Sequence, residues 1–382
     1  MKKILVVSSG RSDFFILQPL VEILVENDHF DCHLLLTGEH GTNFTAAERQ
    51  IQVRQPTLHQ LRIDQFHELH SIGQQCGVCA EIFNLLPDLV GNDPPHLVVL
   101  LGDRYEVMAI ALAFSILGVD LCHLHGGEVT TGAIDDNFRH AITKLSKVHF
   151  CASEEYRKRL LHLGEQPDKV FNVGSLGVER LRNTILIDKR TLSEQFGLDS
   201  KLGFLLVTYH PESTTSDRGL NSFKNLLSCL ELLSKSFNII FTRPCREYGH
   251  LQLEAELNYS IEKYNNIRLV KNITFEEYVS MMASADVMIG NSSSGIIEAP
   301  SFQLPVVNIG DRQKGRQRAC NIIDSLGDKQ SIMTAISTAM SQEFRAKLIG
   351  MNSPFEGPGR QKIVDVLGSL SFPLPPKSFN DG

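Results

Sequence analysis

The feature that most constrains this chain is a rhythm that runs once and then starts again. Short runs rich in Val, Ile and Leu alternate with segments of helical period. KILVVS from Lys3, CHLLLTG from Cys32, HLVVLLGD from His96, DLCHLHGG from Asp120, VHFCAS from Val148 and KVFNVGS from Lys169 predict the strands of a first half. Segments such as RYEVMAIALAFSILG and DDNFRHAITKLSK predict helices between them. Near-continuous apolar strands alternating with helices require a parallel sheet covered on both faces. After the polar stretch RNTILIDKRTLSEQFGLDSKL the rhythm resumes with GFLLVTYH, FNIIFT, NIRLV, DVMIG and PVVNIG. The chain has 382 residues, and single cores rarely grow beyond about 250 to 300 residues. The expectation is an α/β protein of two doubly wound domains, residues 1–185 and 186–360. A helix within 361–382 would return to the first domain, followed by a loose Pro-rich tail, SFPLPPKSFNDG.

Several function classes drop out. A net charge of −7 and the absence of Trp argue against nucleic acid as partner, which requires a broad basic surface or stacking platforms. No run of 18 uncharged apolar residues is present, and the first residues read as a strand, so no membrane partner and a cytoplasmic location are expected. The eight cysteines are scattered, several within apolar runs, which fits a reducing compartment. The lone C-x-x-C, Cys76 to Cys79, lies in a helical run without a second pair and reads as helix packing.

In open parallel sheets ligands bind beyond the carboxyl ends of the strands, so those ends are where chemistry is sought, with a ligand expected in the cleft between the two domains. The first strand ends in SSGRSDFF, offering Arg11 and Asp13 beside Gly10. No G-x-G-x-x-G follows any predicted strand, which argues against a nicotinamide cofactor. The second strand brings His40, and another ends at Asp103, which either works as an acid or base or caps the next helix. The densest stretch is HLHGGEVTTGAIDDNFRH, residues 123–140. Strand alternation would place His123 and His125 on one face. Glu128 follows in the loop, Asp135 and Asp136 open a helix, and Arg139 and His140 lie one turn on. An H-x-H strand can begin a zinc site, but further His ligands from later strand ends are lacking, so no metal is expected and acid–base carboxylates are the preferred reading.

In the second half, His210 ends one strand, and Asn291, Ser292, Ser293, Ser294 and Gly295 end another before a helix. Such a loop offers amides, hydroxyls and a dipole to phosphate. Glu298, a turn into that helix, would accept from ribose hydroxyls. Arg312, Lys314, Arg316 and Arg318 follow a later strand, either as a solvated basic face or as phosphate partners. Together these residues point to a nucleotide diphosphate, and the acids of the first half to a nucleotide-activated substrate.

The motifs GDRYE, HLHGGEVTTGAIDDNFRHAITKLSKVHF, ASEEYRKRLLHLGE, VFNVGSLG, HPES, GNSSSGIIEAPS and NIGDRQKGR stand in this order. Through them the chain closely resembles the hydrolysing UDP-N-acetylglucosamine 2-epimerases of bacterial sialic-acid-type sugar biosynthesis, from Lys3 to about residue 370. The resemblance implies two Rossmann-like domains in the GT-B arrangement, a UDP-sugar substrate, no metal or other cofactor, and a homodimer or homotetramer. It implies loss of the C2 proton of UDP-GlcNAc as UDP leaves C1, then addition of water to the resulting 2-acetamidoglucal to give ManNAc. Asp103, Glu128 and Asp135 or Asp136 match the family's acid–base carboxylates. His210 matches its active-site histidine, at the diphosphate or the leaving group. Arg11 and Arg316 would neutralise phosphates, Ser293, Ser294 and Gly295 would hold phosphate, and Glu298 the ribose.

Two departures bear on the substrate. Phe14 and Phe15 stand where the family has a small residue and a tyrosine, and Cys245 and Glu247 stand where it commonly has the Asn and Asp of an Asn-x-Asp element. Exchange of polar for apolar groups would suit the 4-acetamido-4,6-dideoxy sugar UDP-N,N'-diacetylbacillosamine, used for legionaminic acid, which ranks second. A GT-B glycosyltransferase or a UDP-sugar sensor without turnover would keep the second-domain loop. Neither has a use for so many acids in the first domain.

Overall fold

A computed structural model describes residues 1–40, 56–63, 72–244, 248–270 and 273–380, with the side chains of Arg11, Glu39 and Ile72 outside that description. Cys245 and Glu247 also lie outside it. The described chain forms two parallel sheets flanked by helices.

The first sheet comprises β1 (Lys2–Ser8), β2 (Phe30–Leu36), β3 (Thr57–Gln60), β4 (Leu97–Leu101), β5 (Asp120–Leu124), β6 (Val148–Cys151) and β7 (Val170–Asn172), in the order β3-β2-β1-β4-β5-β6-β7. The second comprises β8 (Gly203–Thr208), β9 (Phe237–Thr242), β10 (Ile267–Val270), β11 (Val287–Gly290), β12 (Val306–Ile309) and β13 (Ile322–Ser325), in the order β10-β9-β8-β11-β12-β13. Every strand pair is parallel. Strand order reverses between β1 and β4 and again between β8 and β11, so each sheet has a switch point where loops diverge to leave a crevice.

Two strands escape the sequence pattern, β3 (TLHQ) and β13 (IIDS). Both are sheet edges, where only part of each residue is covered and no continuous apolar run is needed. Central strands are buried throughout, and apolar clusters pack on both faces of the first sheet.

The first compact unit is Met1–Glu128, Asp135–Arg180 and Phe355–Gly382, and the second is Val129–Ile134 and Leu181–Pro354. The division thus falls after Arg180 rather than at residue 185, and the chain re-enters the first unit at Phe355 rather than at 361. The short segment Val129–Ile134 packs within the second unit: Thr131 N–H donates to Lys314 O at 2.9 Å, and Ile134 N–H to Ser213 Oγ at 3.0 Å. Helix Gly359–Ser369 lies in the first unit, with Ile363 and Leu367 in the same cluster as Ile4 and Val6.

The expectation of a loose tail is overturned. Leu374 N–H donates to Asp120 Oδ2 at 2.7 Å, and Lys377 Nζ donates to the carbonyls of Thr143 at 3.0 Å, Lys144 at 3.1 Å and Ser146 at 2.7 Å. Those carbonyls lie at or just past the end of helix Asp135–Leu145, where the helical ladder runs out, so an ammonium is a natural partner. Among the described residues no helix is long and apolar enough to cross a membrane.

Candidate functional site

The first unit collects its ionisable groups at the switch point. β4 ends at Leu101, Gly102 turns the chain with φ +80°, and Asp103 follows. Asp103 binds Nη2 of Arg139, from helix Asp135–Leu145. Arg139 Nη1 also donates to Asp136 Oδ1 at 2.6 Å and to the Glu128 carbonyl at 3.2 Å. Arg139 is only 1% exposed, so its charge has left water and is held by these acceptors. Asp103, Asp136 and the Glu128 loop are thereby fixed around one guanidinium. His140 Nε2 lies 3.5 Å from the other oxygen of Asp136, while Asp135 sits half-buried in the first helical turn.

Alternation does not carry His123 and His125 to one face, because β5 stops at Leu124 and His125 turns away with φ +64°. His123 is fully buried: its Nε2–H donates to Gly102 O at 2.8 Å and its Nδ1 accepts from Thr143 Oγ1 at 3.0 Å. Burial drives its pKa down to about 3, against the opposing hydrogen bond to Gly102. His123 is thus a neutral tie between β4 and the helix, with both ring nitrogens engaged and no lone pair left for a metal. His125 instead donates Nδ1–H to Glu128 Oε1 at 2.8 Å; a carboxylate can only accept, which sets the tautomer. Its buried Nε2 has no partner among the described residues.

The Gly-Gly pair after His125 is demanded by close packing. A Cβ on Gly127, at φ +80°, would stand 2.5 Å from the Tyr156 carbonyl oxygen. His40 reaches the same end of the sheet, its Nε2 2.9 Å from Ser8 Oγ. Beside it Ser9 Oγ donates to Asp13 Oδ2 at 2.6 Å. The sequence reading overlooked Arg104 and Glu106, although both lie within or beside the GDRYE motif. Arg104 lies 3.8 Å from Asp13 and 3.6 Å from the buried Glu106 carboxylate. Phe14 is a core residue, edge-on to His40, and Phe15 stacks under Arg180, so Phe14 offers no apolar wall to a sugar.

The second unit has its own set at the β8/β11 switch. Asn291 is fully buried and spans the backbone of His210, accepting from its N–H at 2.7 Å and donating to its carbonyl at 2.9 Å. The Asn291 carbonyl in turn accepts from Gln313 Nε2 at 2.9 Å and Arg312 Nη1 at 3.3 Å. Asn291 is therefore a joint between β8, β11 and the basic turn. Gly290 must be glycine: at φ +135° its Cβ would meet Thr208 O at 1.9 Å.

The serine loop differs from expectation. Only Ser294–Ile297 is α-helical, and a 3-10 turn, Ala299–Phe302, follows, since Pro300 lacks an N–H. The aligned dipole is a single turn, and Glu298 stands at its end rather than inside a helix. Ser292 Oγ accepts from Ser294 N–H at 3.3 Å, with Ser293 at the cap and Gly295 against Val306. In the basic run, Arg318 is clamped to Asp324 at 2.5 Å and Lys314 lies 3.3 Å from Asp311; Arg312 and Arg316 are half-buried. Glu212, of the HPES motif, was also missed as a site residue. It is buried, accepts from Tyr209 Oη at 3.0 Å and sits against Gly310; burial pushes its pKa up, countered by Tyr209 and Arg312.

Two doubly wound units with polar groups gathered at each switch point define a GT-B-like α/β protein. The chain belongs to the UDP-N-acetylglucosamine 2-epimerase family, whose model matches residues 22–368. It is 35% identical to the GDP/UDP-N,N'-diacetylbacillosamine 2-epimerase (hydrolyzing) of Campylobacter jejuni, covering 90% of this chain and 89% of that one. A polysialic acid biosynthesis protein of Escherichia coli is 33% identical, covering 93% and 90%. Among solved structures, the UDP-GlcNAc 2-epimerase of Neisseria meningitidis bound to UDP-GlcNAc superposes with a TM-score of 0.78 at 17% identity, over 95% of this chain and 98% of that one. At that identity the likeness concerns the fold.

Proposed function

We propose that this protein is a hydrolysing 2-epimerase that converts UDP-GlcNAc and water to ManNAc and UDP, in the cytoplasm and as a homo-oligomer. The observation that carries the reading is the buried Arg139, which holds Asp103, Asp136 and the Glu128 loop together at a switch point. A C2 proton is weakly acidic, so its removal requires a positioned base and stabilisation of charge leaving with the diphosphate. The first unit supplies the carboxylates Asp103, Glu128, Asp136 and Asp135, which carry out or support the acid–base work, with His40 and Arg139 lining or ordering the sugar side. The second supplies His210, held by Asn291, with Ser292, Ser293, Ser294, Gly295, Arg312 and Arg316 for the diphosphate and Glu298 for the ribose. Arg11, at the start of the first helix, adds positive charge.

A second reading, the same reaction on UDP-N,N'-diacetylbacillosamine, is favoured by the activity for which the Campylobacter relative is named. The test is a proton NMR time course in deuterated water with each UDP-sugar in turn. Release of UDP with a free manno-configured sugar deuterated at C2 supports the reading and names the substrate. Retention of UDP and of the C2 proton with both sugars would sink it in favour of a transferase or a sensor.

A further inference from the structure

We propose that the base taking the C2 proton is Nε2 of His125, and that Glu128 acts as its positioning residue rather than touching the sugar; this rests on the epimerase reading above. Three observations converge on His125. Its backbone stands at φ +64°, a region disfavoured for a side chain with a Cβ, and such strain persists where the surroundings over-determine it for a purpose. The peptide is pinned there: His125 N–H donates to Phe150 O at 2.9 Å, and the Gly126–Gly127 reversal returns Glu128 to the imidazole. With Nδ1–H on the carboxylate, the basic lone pair belongs to Nε2, and this atom is buried with no partner among the described residues. A buried polar atom left unsatisfied calls for an explanation, and a ligand hydrogen supplies one.

Burial ranks the dyad's members. Glu128 is 2% exposed and His125 9%, so the carboxylate lies deeper than the ring it holds. Asp103 and Asp136 each have an oxygen engaged by Arg139. A carboxylate fixing one imidazole nitrogen so that the other carries the proton is the division of labour of the Ser-His-Asp triad. In the proposed step Nε2 accepts the C2 proton, the C2–H electron pair becomes the C1–C2 double bond, and the C1–O bond breaks with its electrons leaving on UDP. Water then adds its oxygen to C1, while C2 is protonated on the opposite face by a second, solvent-exchanged acid.

The test compares kcat for UDP release and C2 deuteration in His125→Asn, His125→Gly and Glu128→Gln, with UDP affinity by calorimetry as a check on folding. Asn and Gly both tolerate φ above zero, so the turn survives. Asn can still donate to Glu128 but lacks Nε2. Loss of at least about a hundredfold in kcat is expected for His125→Asn and His125→Gly, at unchanged UDP affinity. Added imidazole should restore His125→Gly, and Glu128→Gln should lose less than His125→Asn. A near-normal rate in His125→Asn overturns the assignment while leaving the epimerase reading intact. Failure of imidazole to restore His125→Gly, or a larger loss in Glu128→Gln than in His125→Asn, likewise overturns it. A wild-type protein inert on both UDP-sugars overturns both.

Discussion

Replacing Lys377 by Met tests whether the carboxyl-terminal tail holds the site helix in place. Lys377 Nζ lies 2.6 Å from Glu165 Oε2, and Glu165 also receives Lys144 at 2.9 Å and His149 Nε2–H at 2.8 Å. The Glu165 side chain is 1% exposed. Burial would raise its pKa, but the hydrogen bonds and charges of His149, Lys144 and Lys377 outweigh it and hold the group at about 2, against 4.5 unperturbed. With the folded value below the unfolded one, this stabilisation is complete above pH 4.5 and is lost as the pH falls towards 2. That shift corresponds to about 3 kcal/mol at neutral pH, falling to about 1 kcal/mol at pH 3. Lys377 is one of three partners and also binds three carbonyls at and just past the helix end, so its loss should cost about 2 kcal/mol at pH 7. Urea unfolding of wild type and Lys377→Met at pH 7 and pH 3 measures this. The difference should shrink at pH 3. A difference independent of pH, or one below about 0.5 kcal/mol at pH 7, would refute the reasoning.

Further expectations concern the site. Arg139→Met should lower kcat for UDP release at least about a hundredfold and destabilise the first unit by about 3 to 5 kcal/mol, read from steady-state kinetics and calorimetry. His123 should show no titration in its ring NMR signals from pH 5 to 8, since its pKa is about 3. Because that value lies below the unfolded 6.5, His123 weakens the fold as pH falls from 6.5 towards 3, by about 1.4 kcal/mol per pH unit. Gly290→Ala, with its Cβ 1.9 Å from Thr208 O, should prevent soluble expression or displace β11 enough to abolish UDP binding by calorimetry. Asn291→Ala frees the His210 backbone and should reduce kcat about tenfold or more, with little change in melting temperature outside the second unit.

The alternation of apolar runs and helical segments determined the strands at the middle of both sheets, because a strand buried on two faces must be apolar along its whole length. It could not reveal β3 or β13, whose edge positions leave TLHQ and IIDS partly polar. Strand ends were equally legible, and with them Asp103, Glu128, Asp136, His210 and Asn291, since a parallel sheet turns its loops towards one end. What each residue touches was not. Sequence places His123 and His125 two apart on a strand; only the left-handed turn after Leu124 makes one a neutral tie and leaves the other with a ring nitrogen that has no partner among the described residues. Arg139 reads as one charge among many, and becomes the centre of the first unit's polar cluster because the helix packing removes it from water beside Asp103. Nor does SFPLPPKSFNDG carry a periodic signal. Its order comes from contacts more than two hundred residues away along the chain, between Lys377 and Thr143 to Ser146, which local composition cannot encode.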